Sequence, residues 1–251
     1  MTTPPEIDLV VPVYNEARDL QGCVTRLAAA LREQCPVSWR IVVADNGSTD
    51  RTPQIGRELA ERLPYVRYHH LDAKGRGGAL RAVWMKTDAP LSLYMDVDLS
   101  TDLAAVPQAI ELLRQGTHIV TGSRLHPQSR IVRSAKREVL SRGYNALVRR
   151  WLGTRAFDDA QCGFKGVRID AVRPLLPLVV NQNWFFDTEL LVLAEYAGLK
   201  IATLPITWIE DADSRVNIPK TIWEDLRGLW RLWRTARGLV QGWKNQGAPP
   251  L

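Results

Sequence analysis

Few features of this 251-residue chain mark a secreted or membrane-spanning protein. Only three cysteines occur, Cys23, Cys35 and Cys162. That is too few, and too scattered, for a disulfide framework or a cysteine metal site, so a reducing compartment is expected. Cys162 has no neighbouring histidine to activate it as a nucleophile. No run of about 18 uncharged apolar residues appears, so no segment reads as a membrane span. The opening MTTPPEIDLVVPVYNEARDL lacks a charged n-region and carries acidic residues on both sides of its apolar run; it does not read as a secretory leader. Internal repeats are absent, and the GAPPL tail is the only biased tract.

What the chain does have is uneven charge. The net charge is +6, but residues 124–173 carry 12 Lys/Arg against 4 Asp/Glu, and residues 220–244 carry 6 against 2. Two basic segments therefore sit on a mildly acidic body, which points to an anionic partner.

Strand and helix patterns alternate five times between residues 7 and 124. IDLVVPVY, WRIVVADN, YVRYHHLD, LSLYMDVD and HIVTGSR read as strands. Helical spacing separates them: Leu20, Cys23, Val24, Leu27 and Leu31 share one helix face, and TPQIGRELAERL starts with Thr52 as N-cap and Pro53 at its first position. Such alternation predicts an α/β fold with a parallel sheet and helices on both faces. Beyond residue 124 a basic helix is expected over 134–152. GFKGVRI and LKIATLPITWI follow as strands, with FFDTELLVLAEYAG as a helix between them. Ligands of such sheets bind outside the C-terminal strand ends. Asn15, Asp45, Asp96, Asp98 and Arg124 all follow strand ends and are expected around one crevice.

Asp96 and Asp98, in LYMDVDLSTD, stand two apart where an apolar run stops. Read as one strand, they project to the same side, where two carboxylates repel unless a cation lies between them. A hard divalent ion with oxygen ligands, completed by substrate phosphates, resolves this. The plain alternative is that Asp96 ends the strand and Asp98 caps the next helix. KGRGGAL is not a dinucleotide fingerprint, because Leu80 stands where its last glycine belongs. His69 and His70 have no ligand partners at useful spacing. Asp187 and Glu189 also fit a solvated helix start, where acidic residues are favoured.

Taken together, VVPVYNE, VVADNGSTDRT, KGRGGAL, the D-x-D, TGSR, DAQCGFK and WFFDTELL resemble a family 2 glycosyltransferase with a GT-A fold, over roughly residues 7–218. Within it the sequence is most similar to the group of dolichyl-phosphate glucosyltransferases and dolichyl-phosphate mannose synthases. The resemblance implies a Rossmann-like, mostly parallel sheet and a catalytic domain over 1–218. It implies that Pro12, Asn15 and Glu16 line the nucleotide pocket, that Asp45 contacts the base, and that Lys74, Gly75 and Gly77 form the loop beside the nucleoside. Asp96 and Asp98 would bind Mg²⁺ or Mn²⁺ and the donor diphosphate. Arg124 would lie near phosphate, and Arg215 would reach a phosphate from a loop. Asp159 and Gln161, with Asp187 and Glu189, would border sugar and acceptor. Mannose synthases of the group often continue D-x-D with x-Q; here Leu99-Ser100 follow, which leans toward glucose and a UDP-sugar, ahead of mannose with GDP or an N-acetylhexosamine.

The segment PKTIWEDLRGLWRLWRTARGLVQGWK sets an amphipathic helix over 219–244, ahead of a tail at 245–251. Ile222, Trp223, Leu226, Leu229, Trp230, Trp233 and Val240 fall on one arc, with Arg227, Arg231 and Arg234 beside it. Trp beside Arg describes a helix lying in a membrane interface; the alternative is a helix docked on the protein's own core. The run RIVRSAKREVLSR could hold anionic headgroups or the acceptor's phosphate. The expectation is a peripheral enzyme on the cytoplasmic face of a membrane, with a polyprenyl phosphate acceptor. That monoester is mostly dianionic at pH 7 and needs little help from a base; if one is needed, Asp159 is the first candidate, on resemblance alone. A relative acting on a small acceptor is the alternative. Nucleic-acid binding through the interleaved Trp and Arg is disfavoured by their helical spacing. Oligomeric state is left open.

Overall fold

A computed structural model describes residues 4–209 and 218–246. The alternating part folds as its periodicity predicts. β1 (Ile7–Val13), α1 (Leu20–Gln34), β2 (Trp39–Asn46), α2 (Thr52–Arg62), β3 (Val66–Leu71), α3 (Arg76–Lys86), β4 (Leu91–Met95), α4 (Ala105–Arg114) and β5 (Ile119–Ser123) follow in turn. The second half adds β6 (Arg130–Val132), α5 (Ala135–Leu152), β7 (Phe164–Arg168), the short α6 (Ile169–Val172) with a 3₁₀ turn over Arg173–Leu178, α7 (Phe186–Ala197), β8 (Ile201–Pro205), β9 (Thr207–Ile209) and α8 (Ile218–Asn245).

Seven strands form one sheet in the order β3-β2-β1-β4-β7-β5-β8. All pairings are parallel except those of β7, which runs antiparallel between β4 and β5. β1 is buried along its whole length, as a central strand covered on both faces should be. Its side chains alternate: Leu9 and Val11 pack with α1, α2 and α4, whereas Val10 joins the opposite layer with α3, α5, α7 and α8. β6 and β9 make a separate two-stranded parallel ribbon.

Three expectations change at this level. α2 begins at Thr52, so Thr52 is not the cap; its hydroxyl instead accepts from the Glu16 backbone N–H at 2.8 Å. β4 stops at Met95, and the Leu99 N–H closes a turn on the Asp96 carbonyl at 3.1 Å. Asp96 and Asp98 therefore lie on a turn, where strand alternation does not hold. Finally, α8 is not apolar on one free arc. Leu229, Leu232, Ala236 and Val240 are buried in the layer against α7, while Ile222, Trp223, Leu226, Trp230 and Trp233 are exposed. Leu229 and Val240 thus belong to the docked side. Gly228 makes the close approach possible, since a Cβ there would lie 2.5 Å from the Phe185 ring. Arg215 lies outside the described residues.

Candidate active site

The C-terminal ends of β1 and β2, with the loop ahead of α3, carry the first group of expected residues. Asn15 sits in the left-handed region at φ 57°, a conformation asparagine tolerates better than most residues. Its Oδ1 accepts from the Thr49 N–H at 2.8 Å, and its own N–H donates to Ser48 Oγ at 2.9 Å. The YNE and DNGST turns thus lock together. Asn46 does similar work: its Nδ2 donates to the Val13 carbonyl at 2.7 Å, and its Oδ1 accepts from the Gly75 N–H at 3.2 Å. This joins β1 to the loop ahead of α3, where Lys74 Nζ lies 3.8 Å from the Tyr14 ring centroid.

Asp45 is fully buried and accepts from the Ser48 N–H (2.9 Å) and the Tyr68 hydroxyl (2.5 Å), with His70 Nδ1 at 3.1 Å. Burial alone would raise its pKa. The hydrogen bonds outweigh burial and hold it below the ordinary carboxylate range. Asp45 is therefore committed within the protein, bracing the turn from which a base would be met.

The second group meets at the end of β4. The Arg76 guanidinium donates to Asp96 Oδ1 at 2.8 and 3.2 Å and to Asp187 Oδ2 at 2.7 Å. It also lies 4.9 Å from the ring centroids of both Tyr94 and Trp184. Lys165, fully buried, reaches Asp187 Oδ1 at 3.3 Å and the Cys162 carbonyl at 2.8 Å, and the Tyr94 hydroxyl donates to Asp187 as well. Asp187 is 1% exposed. Burial raises its pKa, yet Lys165 and Arg76 dominate and keep it ionised below the usual range. The reading of Asp187 and Glu189 as a solvated helix start is overturned: both are buried, and Glu189 pairs with Arg231 of α8 at 2.7 Å.

Gly163 makes room for Asp96, because a Cβ on it would fall 1.8 Å from Asp96 Oδ2. Gly77 is needed in the same way against Phe186, at 2.3 Å. Asp98 turns elsewhere. It is exposed, accepts from the Ser100 N–H at 2.9 Å, and opens on a groove of about 760 Å³ that Arg18, Asp19 and Arg26 also line. Asp96 and Asp98 each offer the hard oxygen donors that Mg²⁺ or Mn²⁺ takes, with Asp96 Oδ1 engaged by Arg76 and, of the two, only Asp98 lining that groove. Among the described residues no third His, Cys, Asp or Glu joins them. The remaining ligands of such an ion would be substrate phosphate and water, the usual arrangement for Mg²⁺.

Asp159 is fully buried and holds Arg124 through three bonds: from Nε (2.7 Å), Nη2 (2.8 Å) and the backbone N–H (2.9 Å). Burial opposes its ionisation, but Arg124 prevails and lowers its pKa. In this arrangement Asp159 is no free base, and Arg124 spends its guanidinium on a carboxylate. Gln161 donates from Nε2 to Asp225 of α8 at 2.9 Å. Burial pushes the Cys162 thiol up to about 12, so it is no nucleophile.

Arg76, Tyr94, Lys165, Asn46 and Asp225 escaped the sequence reading. Lys165 did leave a signal, a lysine inside an apolar strand run that must find a buried partner. Arg76 was visible only as the unassigned cation of KGRGGAL.

The Glycosyl transferase family 2 model matches residues 8–175. The chain belongs to glycosyltransferase family 2. Among relatives of known name, glycosyltransferase AglD of Haloferax volcanii is 36% identical over 234 residues, which take in 90% of this chain and 37% of that protein. The dolichyl-phosphate beta-glucosyltransferase ALG5C of Trichomonas vaginalis is 31% identical over 221 residues, 83% of this chain and 65% of that one. The Saccharomyces cerevisiae dolichyl-phosphate beta-glucosyltransferase is 29% identical over 232 residues, covering 84% and 69%. The chain thus spans little over a third of the first and just under two thirds of the second. The fold is that of the glucosyl-3-phosphoglycerate synthase from Mycobacterium tuberculosis solved with UDP, at a TM-score of 0.65 and 18% identity over 91% of this chain and 80% of that one. This family 2 member thus shares a GT-A architecture, with Asp96 and Asp98 at the sheet's C-terminal edge.

Proposed function

We propose that the protein transfers a sugar, with glucose first, from a nucleotide-diphosphate sugar to a polyprenyl phosphate of the dolichyl type, inverting the anomeric centre. One juxtaposition carries this reading. α8 touches the acceptor-side residues through Asp225–Gln161 and Arg231–Glu189, and it presents Trp223, Trp230 and Trp233 on its outer face. A single helix thus links the transfer site to a surface suited to a lipid interface. Among the described residues no helix is long and apolar enough to cross a membrane, so the contact would be peripheral. The relatives named for dolichyl phosphate support the acceptor class. UDP in the Mycobacterium synthase agrees with a uridine donor. A cytoplasmic-face location and a UDP-sugar over a GDP-sugar are part of the proposal.

The chain's residues would divide the work. Asn15, Asn46 and Asp45 brace the loops around the nucleotide, with Pro12, Glu16, Lys74 and Gly75 beside them. Asp96 and Asp98 would hold Mg²⁺ or Mn²⁺, which as a Lewis acid stabilises a departing diphosphate. Arg76 and Lys165 keep the buried Asp187 ionised and fixed. The acceptor phosphate is already a nucleophile at pH 7, which agrees with a site where Asp159 is tied to Arg124. Attack on an α-linked donor from the face opposite the leaving group gives a β-linked lipid phosphate.

The second reading, transfer to a small acceptor, is favoured by one observation: Leu229, Leu232, Ala236 and Val240 of α8 are spent on the protein's own core. A transfer assay separates the two. Purified protein, Mg²⁺ or Mn²⁺ and polyprenyl phosphate in detergent are mixed with labelled UDP-glucose, GDP-mannose or UDP-N-acetylhexosamine. Organic-phase label from one donor, lost in Asp98→Ala, supports the lipid acceptor. Metal-dependent donor binding with no organic-phase label overturns it in favour of the small acceptor.

A further inference from the structure

α8 contributes to the site a carboxylate that packing does not explain. Asp225 is 5% exposed. Its Oδ2 accepts from Gln161 Nε2 at 2.9 Å, whereas Oδ1 is buried and has no hydrogen-bond partner among the described residues. Burying a carboxylate on those terms is costly. Neither an anchoring helix nor a docked one needs it, since Leu229, Leu232, Ala236 and Val240 supply the docking. Unlike the isosteric Asn side chain, which donates as well as accepts, an ionised carboxylate only accepts. Gln161 must therefore turn its NH₂ toward α8 and its Oε1 away. Among the described residues this is the only hydrogen bond the Gln161 side chain makes, so Asp225 alone decides which end of the amide faces the site.

We propose that Asp225 is a positioning residue of the transfer site, fixing the Gln161 amide so that Oε1 is presented to a hydroxyl of the bound donor sugar. The proposal rests on the transferase reading, under which Gln161 borders the sugar. It makes α8 a component of the site in addition to its outward Trp face. Among the described residues, the neighbouring ionisable groups are Glu224 on α8 itself and Tyr144 on α5. Burial pushes the Asp225 carboxyl up to about 6, the Gln161 bond draws it down, and Glu224 adds to the rise. The Tyr144 phenol stays protonated, through burial first and the Asp225 charge second. Above pH 7 Asp225 is thus a pure acceptor. Below about pH 6 it is a carboxylic acid that donates as well as accepts, and the constraint on Gln161 relaxes.

The test pairs kinetics with a signal independent of turnover. Transfer by Asp225→Asn is expected to fall about tenfold in kcat/KM at pH 7.5, the loss of one charge-assisted bond. The acid limb near pH 6 should become shallower with it, leaving only the acceptor phosphate's own titration. In a Gln161→Leu background Asp225→Asn should add less than twofold, because both act through one contact. The Gln161 side-chain amide, assigned in ¹⁵N spectra by its absence in Gln161→Leu, should titrate near pH 6 in the wild type and not in Asp225→Asn. Unchanged kinetics and pH profile in Asp225→Asn overturn the proposal, as do multiplicative losses in the double variant. An amide that titrates in a wild-type protein inactive with every donor sinks the transferase reading while leaving the contact standing; an amide that does not titrate sinks the contact whatever the activity.

Discussion

Replacing Asp159 by Asn separates a structural carboxylate from a chemical one. Asp159 is fully buried, and three donors of Arg124 converge on its two oxygens. Asn is nearly the same shape and keeps one acceptor, but it removes the charge opposite a guanidinium whose side chain is only 17% exposed. Breaking one partner of a buried pair costs about 3–5 kcal/mol, mostly for the charge left behind. For a chain of this size that lowers Tm by roughly 6–20 °C. The pH dependence adds a check. Asp159 has a depressed pKa in the fold, so its contribution is fully present above the unfolded value of about 4 and is lost as pH falls through the native one. The gap between wild type and Asp159→Asn, measured by urea unfolding, should be wide at pH 7 and shrink below pH 4. Transfer activity should fall in step with stability and recover in part at low temperature. A variant as stable as the wild type at pH 7 but at least a hundredfold slower would refute the reasoning and restore Asp159 as the base.

Other expectations follow from the same geometry. Gly163→Ala places a methyl group on Asp96 and should weaken metal-dependent nucleotide binding at least tenfold, read by calorimetry with and without Mn²⁺. Replacing Trp223, Trp230 and Trp233 together by Ser should abolish sedimentation with anionic vesicles yet move Tm by no more than a few degrees, since exposed substitutions cost little; retained vesicle binding would exclude this face as the contact. Gly228→Leu drives a side chain into Phe185 and should cost about 1–3 kcal/mol, with activity falling alongside as α8 lifts from Gln161 and Glu189.

How much of this could be read beforehand depends on the range of the interaction. β1 to β5 and their helices were legible because their burial follows a local period: Val10 and Val11 face opposite layers, and both layers are apolar. The antiparallel insertion of β7 was not, since GFKGVRI has the same composition whichever way it runs; its direction is set by pairing Phe164 with Met95 and Lys165 with Tyr94. The D-x-D is legible in the sequence, but strand alternation does not explain it. Its carboxylates sit at the sheet edge, but a turn rather than a strand carries them.

The carboxylates Asp159, Asp187 and Glu189 were likewise found by pattern while their partners were not, and the partners decide what each can do. Arg124, Arg76 and Arg231 stand 35, 111 and 42 residues away in sequence, where no periodicity connects them. A carboxylate seen alone looks like a base or a ligand; paired and buried, it becomes part of the frame. Of the acidic residues at this edge, Asp96 and Asp98 retain the exposure that substrate phosphate requires, at 38% for the Asp96 side chain. Under the proposed function, the transfer chemistry would therefore concentrate at the turn after β4. The buried ion pairs around it tie that turn to α7 and α7 to α8, so that, under the proposed function, α8 would have a mechanical path to the site.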